Sequence, residues 1–111
     1  MGYKITKKED AYVYDAPGHY NMTATRLHDP SDVDGKLCVG YSHFNPGGGA
    51  EMAKAAVELI YYITEGEMTI TTDDGVKHVL HGGDSIHFAP GTGRESINTG
   101  ETVASMLVIF C

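Results

Sequence analysis

The residues of this 111-residue chain best suited to proton or anion chemistry are its histidines, a tyrosine pair and an arginine in a glycine-rich stretch. An imidazole with an unperturbed pKa near about 6.5 exchanges protons at neutral pH, so any of the six histidines that faces a cavity is a candidate acid or base. His43 stands in YSHFNPGG and His87 in DSIHFAP; His78 and His81 sit beside a hairpin in VKHVLHGG, and His19 and His28 flank a Thr-rich stretch. In LIYYITEG, Tyr61 and Tyr62 are adjacent, and a strand turns only one of two neighbours toward a given interior. Arg94, in GTGRES, carries a permanently charged planar fork that grips a carboxylate at two points. Each has a structural alternative: a hydrogen-bonded histidine, an aromatic packing residue, or an arginine solvated or paired with Glu95 or Glu58.

These side chains must be positioned by strands. YVYDAPG, MTATRLH, LCVGYSHF, LIYYITEG, EMTITTDDG, VKHVLHGG, DSIHFAPG and TVASMLVIF are short, rich in β-branched or aromatic residues, and punctuated by Gly, Pro and Asp. Such spacing predicts an all-β sandwich or barrel. Asp74-Gly75 between TITT and VKHV predicts a tight hairpin, because glycine tolerates the positive φ that such turns require. EMAKAAVELI opposes the pattern with strong helix formers, yet Val57 to Ile63 is a β-branched and aromatic run expected to be extended. For Ala50 to Ala56 strand, loop and helical turn all stay open. HDPSDVDGK, with clustered turn formers and no apolar period, reads as a surface loop.

The glycine, proline and hydrophobic skeleton of NPGGGAEMAKAAVELIYYITEGEMTI and GGDSIHFAPGTGRESINTG resembles the two motifs of the cupin family. The resemblance implies a double-stranded β-helix, or jelly-roll, barrel formed by residues 38–111. Residues 1–37 would supply strands and a loop that pack on the barrel or on a partner subunit. Aligned on Pro46-Gly47-Gly48-Gly49 and Glu65-Gly66-Glu67, the His-x-His pair of the first motif falls on Ala53 and Ala55 and its glutamate on Leu59. Aligned on Pro90-Gly91 and Asn98-Thr99-Gly100, the histidine of the second falls on Arg94. Methyl, isobutyl and guanidinium groups offer a divalent cation no usable lone pair, so neither a metal nor another cofactor is expected. A one-residue slip would bring Glu58 into the glutamate's place without restoring the histidines.

What replaced the ligands then defines the expected site. Residues on the phase of Leu59 share an interior, which adds Val57, Tyr61 and Ile63 to Ala53, Ala55 and Leu59 as the apolar wall, with Arg94 as the charged anchor. His43 and His87 lie on strands that line the barrel in cupins, and with Tyr61 they are the expected catalytic groups. Two hypotheses follow: a metal-independent isomerase, epimerase or lyase, or a binding or sensing module for a small anion. A structural or dimerisation barrel with a filled pocket is the third.

Composition narrows the partners. Acidic residues number 15 against 8 basic ones, and the formal charge of -7 repels phosphate backbones and anionic lipid heads, so neither nucleic acid nor a membrane is expected. No apolar run approaches the roughly 20 residues of a membrane span, and MGYKITKKED lacks a signal-peptide core, which reads as a cytoplasmic protein. Cys38 and Cys111 are expected as reduced thiols. A chain this short buries a modest core, and with the cupin resemblance this predicts a homodimer.

Overall fold

The computed structural model describes residues 2–111, and its β-branched and aromatic runs become nine strands. They are β1 (Tyr12–Tyr14), β2 (His19–His28), β3 (Cys38–Lys54), β4 (Leu59–Glu65), β5 (Glu67–Thr72), β6 (Lys77–His81), β7 (Ser85–Phe88), β8 (Gly93–Asn98) and β9 (Ala104–Phe110). The strands run β6-β5-β8-β3-β9-β4-β7, with β2 on the other edge of β3 and β1 outside β2, all antiparallel. This is an all-β jelly-roll barrel. The helix expected as an alternative at EMAKAAVELI does not form: the chain stays extended to Lys54 and bends over residues 55–58.

The long strand β3 joins the two halves of the barrel. Its first part, Cys38 to Phe44, pairs with β9, and its second, Gly49 to Lys54, pairs with β8. The corner between them is Asn45-Pro46-Gly47-Gly48, and glycine is required there by close approach. A Cβ on Gly48 would stand 2.0 Å from the carbonyl oxygen of Asn21, and one on Gly49 2.0 Å from that of Ser96. Two backbones meet where any side chain would force them apart.

Strand alternation turns every second residue inside. Phe44, Ile63, Met68, Ile70 and Phe88 are essentially inaccessible to solvent, and Leu59, Tyr61, Ala104 and Met106 complete the packed cluster. Burying each large apolar side chain contributes about 1.5–3 kcal/mol. Asn98, 2 % exposed, is one of the buried polar side chains among the described residues, which also include Ser42, Thr69, Ser96 and Ser105. Its Nδ2 donates to the carbonyls of Phe44 (2.9 Å) and Thr102 (2.8 Å), and its Oδ1 accepts from the Gly100 amide (2.8 Å). Thus the side chain ties β3 to the turn that follows β8.

The segment GTGRES, which reads as a glycine-rich loop, is mostly strand. β8 starts at Gly93 because Gly93 N donates to the Asp73 carboxylate (2.9 Å) and the strand pairs with both β3 and β5. HDPSDVDGK forms a short 3-10 turn, Pro30–Val33, capped by Asp29, whose side chain accepts from the Ser31 amide (3.2 Å).

Candidate active site in the barrel

Arg94 points into the barrel because it shares the inward phase of Ser96 and Asn98 on β8, both buried. Across the ladder it faces Ala53 on β3 and Thr72 on β5. Its Nη1 donates to the Ala53 carbonyl (2.8 Å) and its Nε to the Tyr61 hydroxyl oxygen (3.2 Å). The structural partners considered for it lie elsewhere: Glu95 is on the opposite, exposed face of β8, and Glu58 meets His87 outside the barrel (2.5 Å). The ion pairs among the described residues are Lys4–Asp32, Arg26–Asp29, His81–Glu67 and His87–Glu58. The guanidinium therefore stands half-buried with no carboxylate against it.

Beside Arg94 lies a solvent-connected cavity of about 230 Å³. Its apolar wall includes Phe44, Leu59, Met106, Val108 and Phe110, and Val57 stands at its edge. Its polar points are the hydroxyls of Tyr14, Ser42, Ser96 and Tyr61, with Arg94 and His19. An adjoining cavity of about 270 Å³ is bounded by Ala53, Glu51, Met52 and Lys54 and shares His19, Tyr61, Arg94 and Ser96 with the first. These shared residues form the waist between an apolar chamber and a charged one. Tyr61 is held there by an edge-to-face contact with Phe88, ring centroids 5.0 Å apart. Because its oxygen accepts from Arg94, its own O–H is free to donate to a ligand.

The expected site residues divide by this geometry. Arg94, Tyr61, Leu59, Val57 and Ala53 bound the two cavities. Ala55 and Ile63, 2 % and 0 % exposed, are packed in the solid core and bound neither. His43 and His87 are not inside. On β3, Ser42 and Phe44 take the inward phase, so His43 turns outward, with its Nδ1 bonded to the Ser105 hydroxyl (2.9 Å). On β7, Phe88 is inward and His87 lies exposed on the outer surface. Both expectations of an inward imidazole fail for one reason, the two-residue period of a strand.

The histidine at the cavity is His19, which reads from sequence only as the flank of a Thr-rich strand. The Pro17-Gly18 turn brings its Nδ1 to 2.9 Å from the Pro17 carbonyl, and the register of β2 on β3 sets it opposite Ala50. A carbonyl only accepts, so Nδ1 carries the proton and Nε2 is the lone-pair nitrogen of the neutral ring. The Pro-Gly turn was a visible signal; the pairing across some thirty residues of chain was not.

The donor set does not suit a metal. Ala53 and Leu59 present alkyl groups to the cavities and Arg94 a cation, and among the described residues no group of three or more His, Cys, Asp and Glu side chains could hold an ion. No helix among the described residues is long and apolar enough to cross a membrane.

Known proteins agree with this architecture. The Cupin domain family matches residues 40–110. A Mycobacterium tuberculosis protein named beta-D-galactosidase Rv1717 is 35% identical over 106 residues, covering 95% of this chain and 90% of its own. The polyketide cyclase RemF from Streptomyces resistomycificus superposes with a TM-score of 0.84 at 20% identity, over 97% of this chain and 78% of its own. An RmlC-like cupin from Shewanella frigidimarina gives 0.78 at 20% identity, over 98% and 90%. At such identities the solved structures speak for the fold. With the barrel, both motif skeletons and the family match in place, this chain belongs to the cupin family and lacks that family's usual metal ligands.

Proposed function

We propose that the protein is a metal-independent small-molecule cupin that moves a proton on a small substrate bearing a carbonyl and an anionic group. The observation that carries this reading is the half-buried guanidinium of Arg94, which has no carboxylate partner and shares the cavity waist with an oriented imidazole and a phenol. In the reading, the remaining N–H groups of Arg94 hold the substrate's anionic group. His19 Nε2 takes a proton from the carbon beside the carbonyl. The electron pair shifts to the carbonyl oxygen, which takes the proton of Tyr61. The phenolate left behind faces Arg94 Nε; protonated His19 then returns a proton to carbon while the enol O–H gives its proton back to Tyr61, which restores the carbonyl and both side chains and completes the proton transfer.

The binding or sensing alternative needs the same cavity and Arg94 but no role for His19. The filled-barrel alternative has no support from a cavity of this size. The name of the mycobacterial relative suggests galactoside hydrolysis, which ordinarily uses two carboxyl groups flanking the sugar. Glu51 is the one carboxylate bounding the two cavities, so that mechanism lacks its second group here. The reading further takes the molecule as a homodimer, supported by the outward face of β4 and β9. There Ile60, Leu107 and Ile109 are only half-buried and Tyr62 is exposed.

The test is solvent exchange. Incubated in D₂O with a panel of 2-oxo acids and sugar acids and followed by proton NMR, the wild-type protein should exchange the α-hydrogen of at least one compound. His19→Gln and Tyr61→Phe should each slow that exchange by about 100-fold or more. Exchange that is absent throughout the panel, or indifferent to both substitutions, rejects the proton-transfer reading. Binding that persists without exchange favours the sensing module.

A further inference from the structure

We infer that the ligand is an acid with an apolar body, a single aryl or cycloalkyl ring in size, and not a carbohydrate. The inference rests on Arg94 as the anion anchor, as read above, and adds what the other end of the molecule must be. On one side of the waist the chamber wall is made of Phe44, Leu59, Met106, Val108 and Phe110. Its side-chain hydroxyls away from the waist are those of Tyr14 and Ser42, and Ser42 is only 7 % exposed. A sugar ring placed there would surrender most of its hydroxyl hydration with few partners to replace it, and each unpaired hydroxyl is unfavourable. A hydrocarbon ring loses nothing polar and removes apolar wall from water.

Size supports the same class. An apolar cavity of about 150 Å³ accommodates benzene. At about 230 Å³ the chamber has room for one such ring and a short linker reaching the waist. The second chamber, with Glu51 and Lys54, adjoins the apolar one and shares Arg94 with it. An occupant that puts its carboxylate on Arg94 therefore has an apolar chamber for its body and a charged one within reach of any further polar substituent.

Equilibrium binding to the full chain, read by calorimetry with protein-observed NMR, tests this with three probes: cyclohexanecarboxylate, benzoate and galacturonate. The two apolar acids should bind at least tenfold more tightly than galacturonate. Val57→Asp, at the partly exposed edge of the apolar chamber, should weaken them at least tenfold while its NMR spectrum stays that of a folded barrel. Galacturonate binding as tightly as the apolar acids, in an Arg94-dependent way, overturns the apolar-body inference and leaves the anchor standing. No binding by any probe, or binding that Arg94→Met leaves unchanged, removes the anchor and this inference together.

Discussion

Replacing Asn98 by leucine keeps the volume of a buried side chain and deletes its three hydrogen bonds to the backbone. The Phe44 carbonyl belongs to a residue 1 % exposed, and losing its donor leaves a buried acceptor unpaired, at about 1–3 kcal/mol. The Thr102 carbonyl and Gly100 amide are partly buried and can turn to water, so their bonds contribute about 0.5–1.5 kcal/mol each. Part of the sum is offset by the added apolar burial, which leaves a destabilisation of about 3 kcal/mol. For a domain this size that lowers Tm by about 12 °C. Urea unfolding followed by far-UV circular dichroism, with slopes compared between variants, measures it directly. Asn98→Asp should be no better than leucine. Its carboxylate still accepts from Gly100, yet it sets a charge against two carbonyl oxygens. A loss below about 1 kcal/mol for the leucine variant would refute the view that this amide holds the corner of the barrel.

Gly49→Ala should cost about 3 kcal/mol or more, because its Cβ would lie 2.0 Å from the Ser96 carbonyl oxygen, backbone against backbone; urea unfolding or failure to recover soluble protein reads it. Thiol labelling at pH 8 (about neutral to mildly basic) should modify exposed Cys111 quickly and Cys38 only after denaturant is added, since burial pushes the Cys38 thiol up and keeps it protonated. Hydrogen bonding from Thr99, then from His81, holds the Glu67 carboxyl below its ordinary value of 4.5. That stabilisation is complete above the unfolded pKa and disappears as pH falls through the lower folded value. Thr99→Val should therefore show a shallower loss of stability than wild type on acidification through that window, by chemical denaturation at stepped pH; an unchanged slope contradicts the assignment.

Much of the barrel was legible because its signals are local. Asp74-Gly75 makes its hairpin, the glycines after Pro46 make their corner, and Leu59, Tyr61 and Ile63 alternate inward as their spacing requires. Arg94 was legible through the motif skeleton only as the residue in the place of the second motif's histidine; its strand and its inward face come from the pairing of β8 with β3 and β5, in a segment that reads locally as a glycine-rich loop. The imidazoles were not. Which face a strand residue takes depends on phase, and His43 and His87 were assigned to the right strands without it. Phe44 and Phe88, each next in sequence, occupy the inside, and the apolar neighbour could have shown that the histidine turns out. Likewise Ala55 and Ile63 share the interior with the cavity residues yet sit where side chains fill the space completely. His19 reaches the site through a long-range pairing of β2 with β3, information held in tertiary register and in no local pattern.

The most direct test of the account is the affinity of a small carboxylate, cyclohexanecarboxylate, for wild-type and Arg94→Met protein, each measured by calorimetry with and without prior chelator treatment. A guanidinium serving as the charged centre predicts wild-type binding that chelation leaves intact and a loss of at least tenfold in the methionine variant. Binding that survives Arg94→Met, or that vanishes on chelation and returns with a divalent metal, contradicts it.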